Sequence, residues 1–229
     1  MNTVAKRLLT FFIGVPVLIG LVFLTYEHHL ALNIAVVIFA VLGANEFYNM
    51  VQAKTSLPPK SVLIIFSGLI PLLTYLLQLF NLSSEPLSCI FFFILILLMA
   101  YECLTAKEFT QSFERISFSA LCILYCGFGM SFITRISFVE NSLWFILFFL
   151  SLVVLCDSAA WFFGMLFGKN NRGLIKASPN KSIAGFLGGI FSDILLAVLA
   201  KIYFPDIFTG NYISIIILAL LTAFAAIIG

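Results

Sequence analysis

Asp157 is the residue most able to do chemistry in this chain. It sits in a long apolar stretch, where an ionised carboxylate is costly unless it faces a polar cavity or a partner charge. The stretch from Asp157 to Asp193 reads DSAAWFFGMLFGKNNRGLIKASPNKSIAGFLGGIFSD. Asp157, Trp161, Gly164 and Gly168 recur at spacings of four, three and four, which puts them on one helical stripe. Two readings of that stripe stand side by side. Gly164 and Gly168 form a GxxxG pair that lets another helix approach closely, with Asp157 as a buried polar contact. Alternatively, the stripe walls a polar cavity that ends at the basic segment Lys169, Arg172, Lys176 and Lys181. Beyond that segment come Ser178, Ser182, Gly185, Gly188 and Gly189. Hydroxyls, lysine and glycines at a helix N-terminus allow backbone N–H groups to approach phosphate. The same residues also serve a plain basic loop beside anionic lipid. No GxxxxGK[ST] run occurs, so a P-loop is excluded.

Other acidic groups are candidates of lower rank. Asp193 lies about three turns into the next apolar segment, and Glu46 and Glu102 stand near the ends of theirs. His28 and His29 fall in a short connection far from the Asp157 stretch. Five cysteines, Cys89, Cys103, Cys122, Cys126 and Cys156, form no CxxC pair and read as small apolar residues.

These residues must be positioned by membrane helices. Of the 229 residues, 62% are hydrophobic and only 10% charged, against roughly 45–50% and 25% in soluble domains. That excludes a water-soluble enzyme, a nucleic-acid-binding domain and a disordered chain. Unbroken runs such as Phe91 to Ala100 lack the alternation of a membrane β-barrel. The fold class is therefore all-α, a polytopic membrane protein with about eight spans: roughly 8–26, 30–50, 61–80, 86–104, 117–138, 142–167, 183–204 and 211–229. The first is an uncleaved helix preceded by Lys6 and Arg7, since its apolar core is too long for a cleavable signal. Alternating the segments puts Lys6, Arg7, Lys54, Lys60, Lys107, Arg115, Lys169, Arg172, Lys176 and Lys181 on one side. Only Arg135 and Lys201 fall on the other. The basic side is cytoplasmic, so both termini are expected in the cytoplasm, with the chain in the inner cell membrane. Residues 1–229 are expected to form a single helical domain.

The Asp157–Gly189 stretch resembles the CDP-diacylglycerol synthase (phosphatidate cytidylyltransferase) family. Its pattern reads D-T-x-A-Y-x-x-G-x-x-F-G-K, then a basic loop, then S-P-x-K-T-x-E-G-x-x-G-G. Asp157, Ala160, Gly164, Phe167, Gly168, Lys169, Ser178, Pro179, Lys181, Gly185, Gly188 and Gly189 match, and Ser158, Trp161 and Ser182 are conservative replacements. Pro16 in the first segment and Glu46-Phe47-Tyr48 also look like the family. Ala184 stands where the family has Glu, and Gly229 looks like the Gly of a following G-D-x-x-E-S motif. The chain is thus expected to cover the N-terminal three-quarters of the family domain and to have little activity by itself.

The resemblance implies phosphatidate cytidylyltransferase activity, CTP plus phosphatidate giving CDP-diacylglycerol and pyrophosphate, in phospholipid biosynthesis. It implies Asp157 as catalytic and metal-binding residue for Mg2+, and Lys181 as catalytic residue. Lys169, Lys176, Ser178, Ser182, Gly185, Gly188 and Gly189 would bind substrate. CTP, phosphatidate and membrane lipid are the expected partners, nucleic acid is not, and a homodimer is left open. The alternatives are a CTP-dependent polyprenol or phytol kinase, and a transporter with Asp157 and Asp193 as coupling sites.

Overall fold

The computed structural model describes residues 3–53, 55, 57–82, 86–169, 171–173 and 181–228, without the side chains of residues 3–11, 86 and 228. Among the described residues eight helical segments follow one another: α1 (Thr3–Phe23), α2 (Tyr26–Gln52), α3 (Lys60–Leu79), α4 (Pro86–Thr105), α5 (Ser112–Ile136), α6 (Ser142–Phe167), α7 (Ile183–Tyr203) and α8 (Tyr212–Ile228). There is no strand among the described residues. Helices α2 to α7 are long and apolar enough to cross a membrane, and Phe12–Phe23 and Tyr212–Ile227 are shorter apolar helices. The chain is therefore a polytopic all-α membrane protein, as its apolar runs predict. The helices fall into two compact units, Met1–Leu143 and Trp144–Gly229.

The first unit is centred on α2, α3, α4 and α5. Its core packs Ala44 and Tyr48 of α2 with Leu63 and Ile70 of α3, Ile94 and Leu98 of α4, and Cys122, Ile123 and Cys126 of α5. Within α5, residues Ile123–Phe128 widen into a π-helical turn. Gly127 in that turn lies against α3 so closely that a Cβ would come 2.9 Å from Ser67 Cα.

Two features of this unit depart from the expected boundaries. α5 begins at Ser112, about five residues earlier than the apolar run suggests. Its charged first turns become helical because Arg115 finds a partner inside the fold. Arg115 Nε donates to Glu102 Oε1 at 2.8 Å, and Ser112 Oγ donates to the same oxygen at 2.6 Å. Glu102 is thus more than a helix-end marker: its side chain is only 7% exposed.

The second feature is the turn from α1 into α2. Glu27, His28 and His29 all have positive φ (46°, 53° and 62°), a conformation costing about 1–2 kcal/mol per L-residue. Every carbonyl in the turn is taken up. Tyr75 OH donates to Glu27 O at 2.7 Å, and Asn33 Nδ2 donates to His28 O and His29 O. His29 is buried, with Nδ1 2.9 Å from Val22 O and Nε2 3.0 Å from Ser142 Oγ. The carbonyl can only accept, so Nδ1 carries the proton and Nε2 accepts from Ser142. His28 stacks on Phe138 with centroids 4.4 Å apart. The histidine pair therefore locks the entry of α2.

In the second unit, α6, α7 and α8 pack through small residues. Cys156 on α6 shares a cluster with Ala223 and Ile227 of α8. Phe148 and Leu152 pack with Ala197 and Ala200 of α7 and with Ala219 of α8. The cysteines are free; Cys122, Cys126 and Cys156 are buried, whereas Cys89 and Cys103 are exposed.

Candidate functional site

The site predicted from spacing falls where α6 passes through the basic loop into α7. The loop is closed at its base by backbone pairing. Arg172 and Ser182 form an antiparallel bridge, Gly173 N–H donates to Lys181 O at 3.3 Å, and Ile183 N–H donates to Asn171 O at 3.0 Å. Lys176 and Ser178, both expected to touch substrate, lie outside the described residues.

Ser182 is the N-cap of α7. Its extended backbone (φ −114°, ψ 154°) aims the hydroxyl oxygen at Gly185 N–H, 3.1 Å away. This satisfies one of the free N–H groups that open a helix. The hydroxyl still has its own proton to donate. Ser182 also faces α6: a Cβ on Gly164 would lie 3.0 Å from Ser182 Oγ, and one on Gly168 would overlap both that side chain and Gly164 O.

The three glycines of α7 turn their bare faces to α6. A Cβ on Gly185 would lie 2.6 Å from Ala160 O, one on Gly188 would overlap Phe163, and one on Gly189 would lie 3.0 Å from Cys156 Sγ. The GxxxG reading of Gly164 and Gly168 therefore has a partner helix in the structure. These contacts assign helix packing to Gly185, Gly188 and Gly189, beside any role toward a ligand. The Asp157 stripe divides accordingly. Its lower half, Gly164 and Gly168, meets Ser182, while Asp157 and Trp161 are exposed on the surface of the second unit.

Of the basic residues, Lys169, Arg172 and Lys181 are all exposed at the loop base. The Lys181 ammonium donates to Ile227 O in the last turn of α8, favoured by the negative end of that helix. An ammonium has three donors, so others remain for a ligand. The backbone puts Asn171 and the basic Arg172 opposite the start of α7. Nothing in their spacing signals that pairing.

Asp193 is the group that spacing underrated. It is fully buried, and neither carboxylate oxygen has a hydrogen-bond partner. The Cys156 thiol is its neighbour, and the charge of Asp157 acts on it. A carboxyl this deep is either kept protonated or, if ionised, offset by a positive group. Among the described residues no three His, Cys, Asp or Glu side chains come together as a metal cluster. That donor set does not suit zinc, which needs three or four protein ligands. It does fit Mg2+, which is commonly held by one or two carboxylates together with water and substrate phosphate. The two aspartates of these helices are Asp157, exposed on α6, and Asp193, buried on α7.

Fold and site thus define a polytopic helical membrane protein in which a GxxxG stripe and the basic residues Lys169, Arg172 and Lys181 adjoin the start of a capped helix. Residues 5–229 match the Cytidylyltransferase family, and the chain belongs to it. It is 30% identical over 128 residues to a phosphatidate cytidylyltransferase of Staphylococcus aureus (strain COL), a match covering 56% of this chain and 47% of the relative. It is 27% identical over 194 residues to the phosphatidate cytidylyltransferase of Staphylococcus haemolyticus (strain JCSC1435), covering 82% and 68%. The chain spans about half the length of the Staphylococcus aureus relative it matches.

Proposed function

We propose that this protein transfers the cytidylyl group of CTP to phosphatidate, forming CDP-diacylglycerol and pyrophosphate. The observation that carries the reading is the junction of α6 and α7. There Gly164, Gly168, Ser182, Gly185 and Gly189, which resemble the family pattern, pack together, and Asp157 is exposed on the same helix α6. Membership of the Cytidylyltransferase family supports the same choice over a transporter.

A phosphate oxygen of phosphatidate attacks the α-phosphorus of CTP. The new P–O bond forms as the bond between the α-phosphorus and the bridging oxygen to the β-phosphate breaks, and pyrophosphate leaves. The nucleophile is already an anion, so no general base is required. The demand is to hold two anions in line and offset their charge. Lys181, Lys169 and Arg172, exposed at the loop base, would supply that charge. Ser182 can donate its hydroxyl proton to a phosphate oxygen while remaining the cap of α7. Asp157 and Asp193 would hold Mg2+, which supplies charge neutralisation to the phosphates when bound. In this reading the basic side of the membrane is the cytoplasmic one, where CTP is found, and both termini lie there.

The test is ligand-induced stabilisation. CTP with Mg2+ should raise the melting temperature of the purified protein in detergent, since a ligand held only by the native state stabilises it by mass action. Asp157→Asn, at an exposed position, should abolish the rise and leave the unliganded Tm unchanged. A sodium or proton dependence with no response to CTP would favour the transporter alternative and contradict the proposal.

A further inference from the structure

At the opposite end of the second unit, α6 and α7 leave a groove with no part in the chemistry above. It is a cavity of about 330 Å³, walled by Trp144, Phe148, Ser151, Leu199, Phe204 and Phe208 among others. The aromatic rings brace one another: Trp144 with Phe204 at 5.1 Å and Phe148 with Phe208 at 4.8 Å between centroids. The groove therefore has a firm wall on its aromatic side. Ser151 is exposed there, so the groove opens outward at membrane depth.

Lys201 is not part of the wall but follows the wall residue Ala200 in α7. Its ammonium donates to the carbonyl of the wall residue Phe208 and to Gly210 O, and it lies 5.3 Å from the Tyr212 ring centroid. Two of its three donors are thus occupied. Among the described residues it has no carboxylate partner, although Asp206 lies in the same connection. Here a positive charge, fixed by two carbonyls and an aromatic face, adjoins an apolar slot. That pairing complements one kind of molecule, an acyl chain attached to an anionic phosphate. Trp144, Tyr203 and Tyr212 at the same end are of the types that settle at the membrane–water boundary.

We propose that this groove is a binding site for an anionic phospholipid, with one acyl chain along α6 and α7 and the phosphate on the free donor of Lys201. The site is separate from the Ser182 end of α7. That helix has 21 residues and rises about 1.5 Å per residue, so the two ends stand roughly 30 Å apart. The inference does not depend on the proposed transfer reaction.

The experiment is native mass spectrometry of the purified protein, released from mixed micelles of phosphatidylglycerol and phosphatidylcholine. Wild type should retain one phosphatidylglycerol, preferred roughly fivefold, the ratio given by about 1 kcal/mol per lysine. Lys201→Gln should erase the preference while still retaining either lipid. Ser151→Trp, at an exposed position, should fill the slot and lose both lipids, while its unchanged Tm reports that the fold is intact. A phosphatidylglycerol with a diazirine in its acyl chain should label Leu147 or Leu199. Excess CTP should displace none of it. Equal retention of the two headgroups by wild type, full retention by Ser151→Trp, or displacement by CTP would overturn the proposal.

Discussion

Replacing Gly185 with Ala separates the packing role of the α7 glycines from a phosphate-binding role. The added Cβ would sit 2.6 Å from Ala160 O and 3.2 Å from Ser182 Oγ. Alanine is intrinsically the better helix residue, by about 1 kcal/mol. Against this stands overpacking, typically about 1–3 kcal/mol. Here the obstacle is a backbone carbonyl that cannot rotate away, so the cost falls at the upper end and α6 must move off α7. The move also disturbs the Ser182 cap, which is worth about 1 kcal/mol. The net expectation is a destabilisation of about 2 kcal/mol, a fall in Tm of roughly 4–8 °C for a chain of this size. The assay is thermal unfolding in detergent without nucleotide. Gly20→Ala is the control, because nothing lies within 4 Å of a Cβ there, and it should leave Tm unchanged or slightly higher. If Gly185→Ala melts with wild type and only weakens CTP binding, the glycine is kept bare for ligand and the packing reasoning is refuted.

The buried pair in the first unit gives a second expectation. Glu102→Gln or Arg115→Met alone should lower stability by several kcal/mol, on the order of 3–5, because each strands a charge or its partner. The double replacement Glu102→Met with Arg115→Met should recover most of that loss, and single variants as stable as wild type would show that the pair contributes little. Orientation is tested by labelling single cysteines in a background without native ones. A membrane-impermeant reagent should modify a cysteine at Asn141 or Asn211 in intact cells and spare one at Asn171, and labelling at Asn171 would reverse the assigned sides.

Helices α2 to α7 were legible because each apolar run is about as long as a bilayer is thick, whereas the described apolar stretches at the two ends, Phe12–Phe23 and Tyr212–Ile227, are shorter than the spans expected there. The start of α5 was missed for a definite reason. Glu114 and Arg115 look like loop residues unless Glu102, an acid on the preceding helix, is known to meet Arg115. His29 was underrated likewise, since its partners Val22 and Ser142 become neighbours only through a left-handed turn of three non-glycine residues. At the candidate site, residue types and spacing revealed the stretch itself and the GxxxG pair. They could not reveal which surface each glycine faces, because a bare Cα serves a close helix and a phosphate equally well. The same holds for Asp193: its depth in the helix was readable, and its lack of any hydrogen-bond partner was not.

The central claim is cytidylyl transfer at the α6–α7 junction, and the position of the label distinguishes it from its nearest rival. Membranes from cells expressing the protein that carries this chain are supplied with phosphatidate, Mg2+ and CTP labelled at either the α- or the γ-phosphorus. Cytidylyl transfer places the α-label in a lipid-soluble product and leaves the γ-label in pyrophosphate, and Asp157→Asn should lower this turnover by about a hundredfold or more. Appearance of the γ-label in lipid would instead identify a CTP-dependent kinase, and full α-label transfer by Asp157→Asn would remove Asp157 from the site.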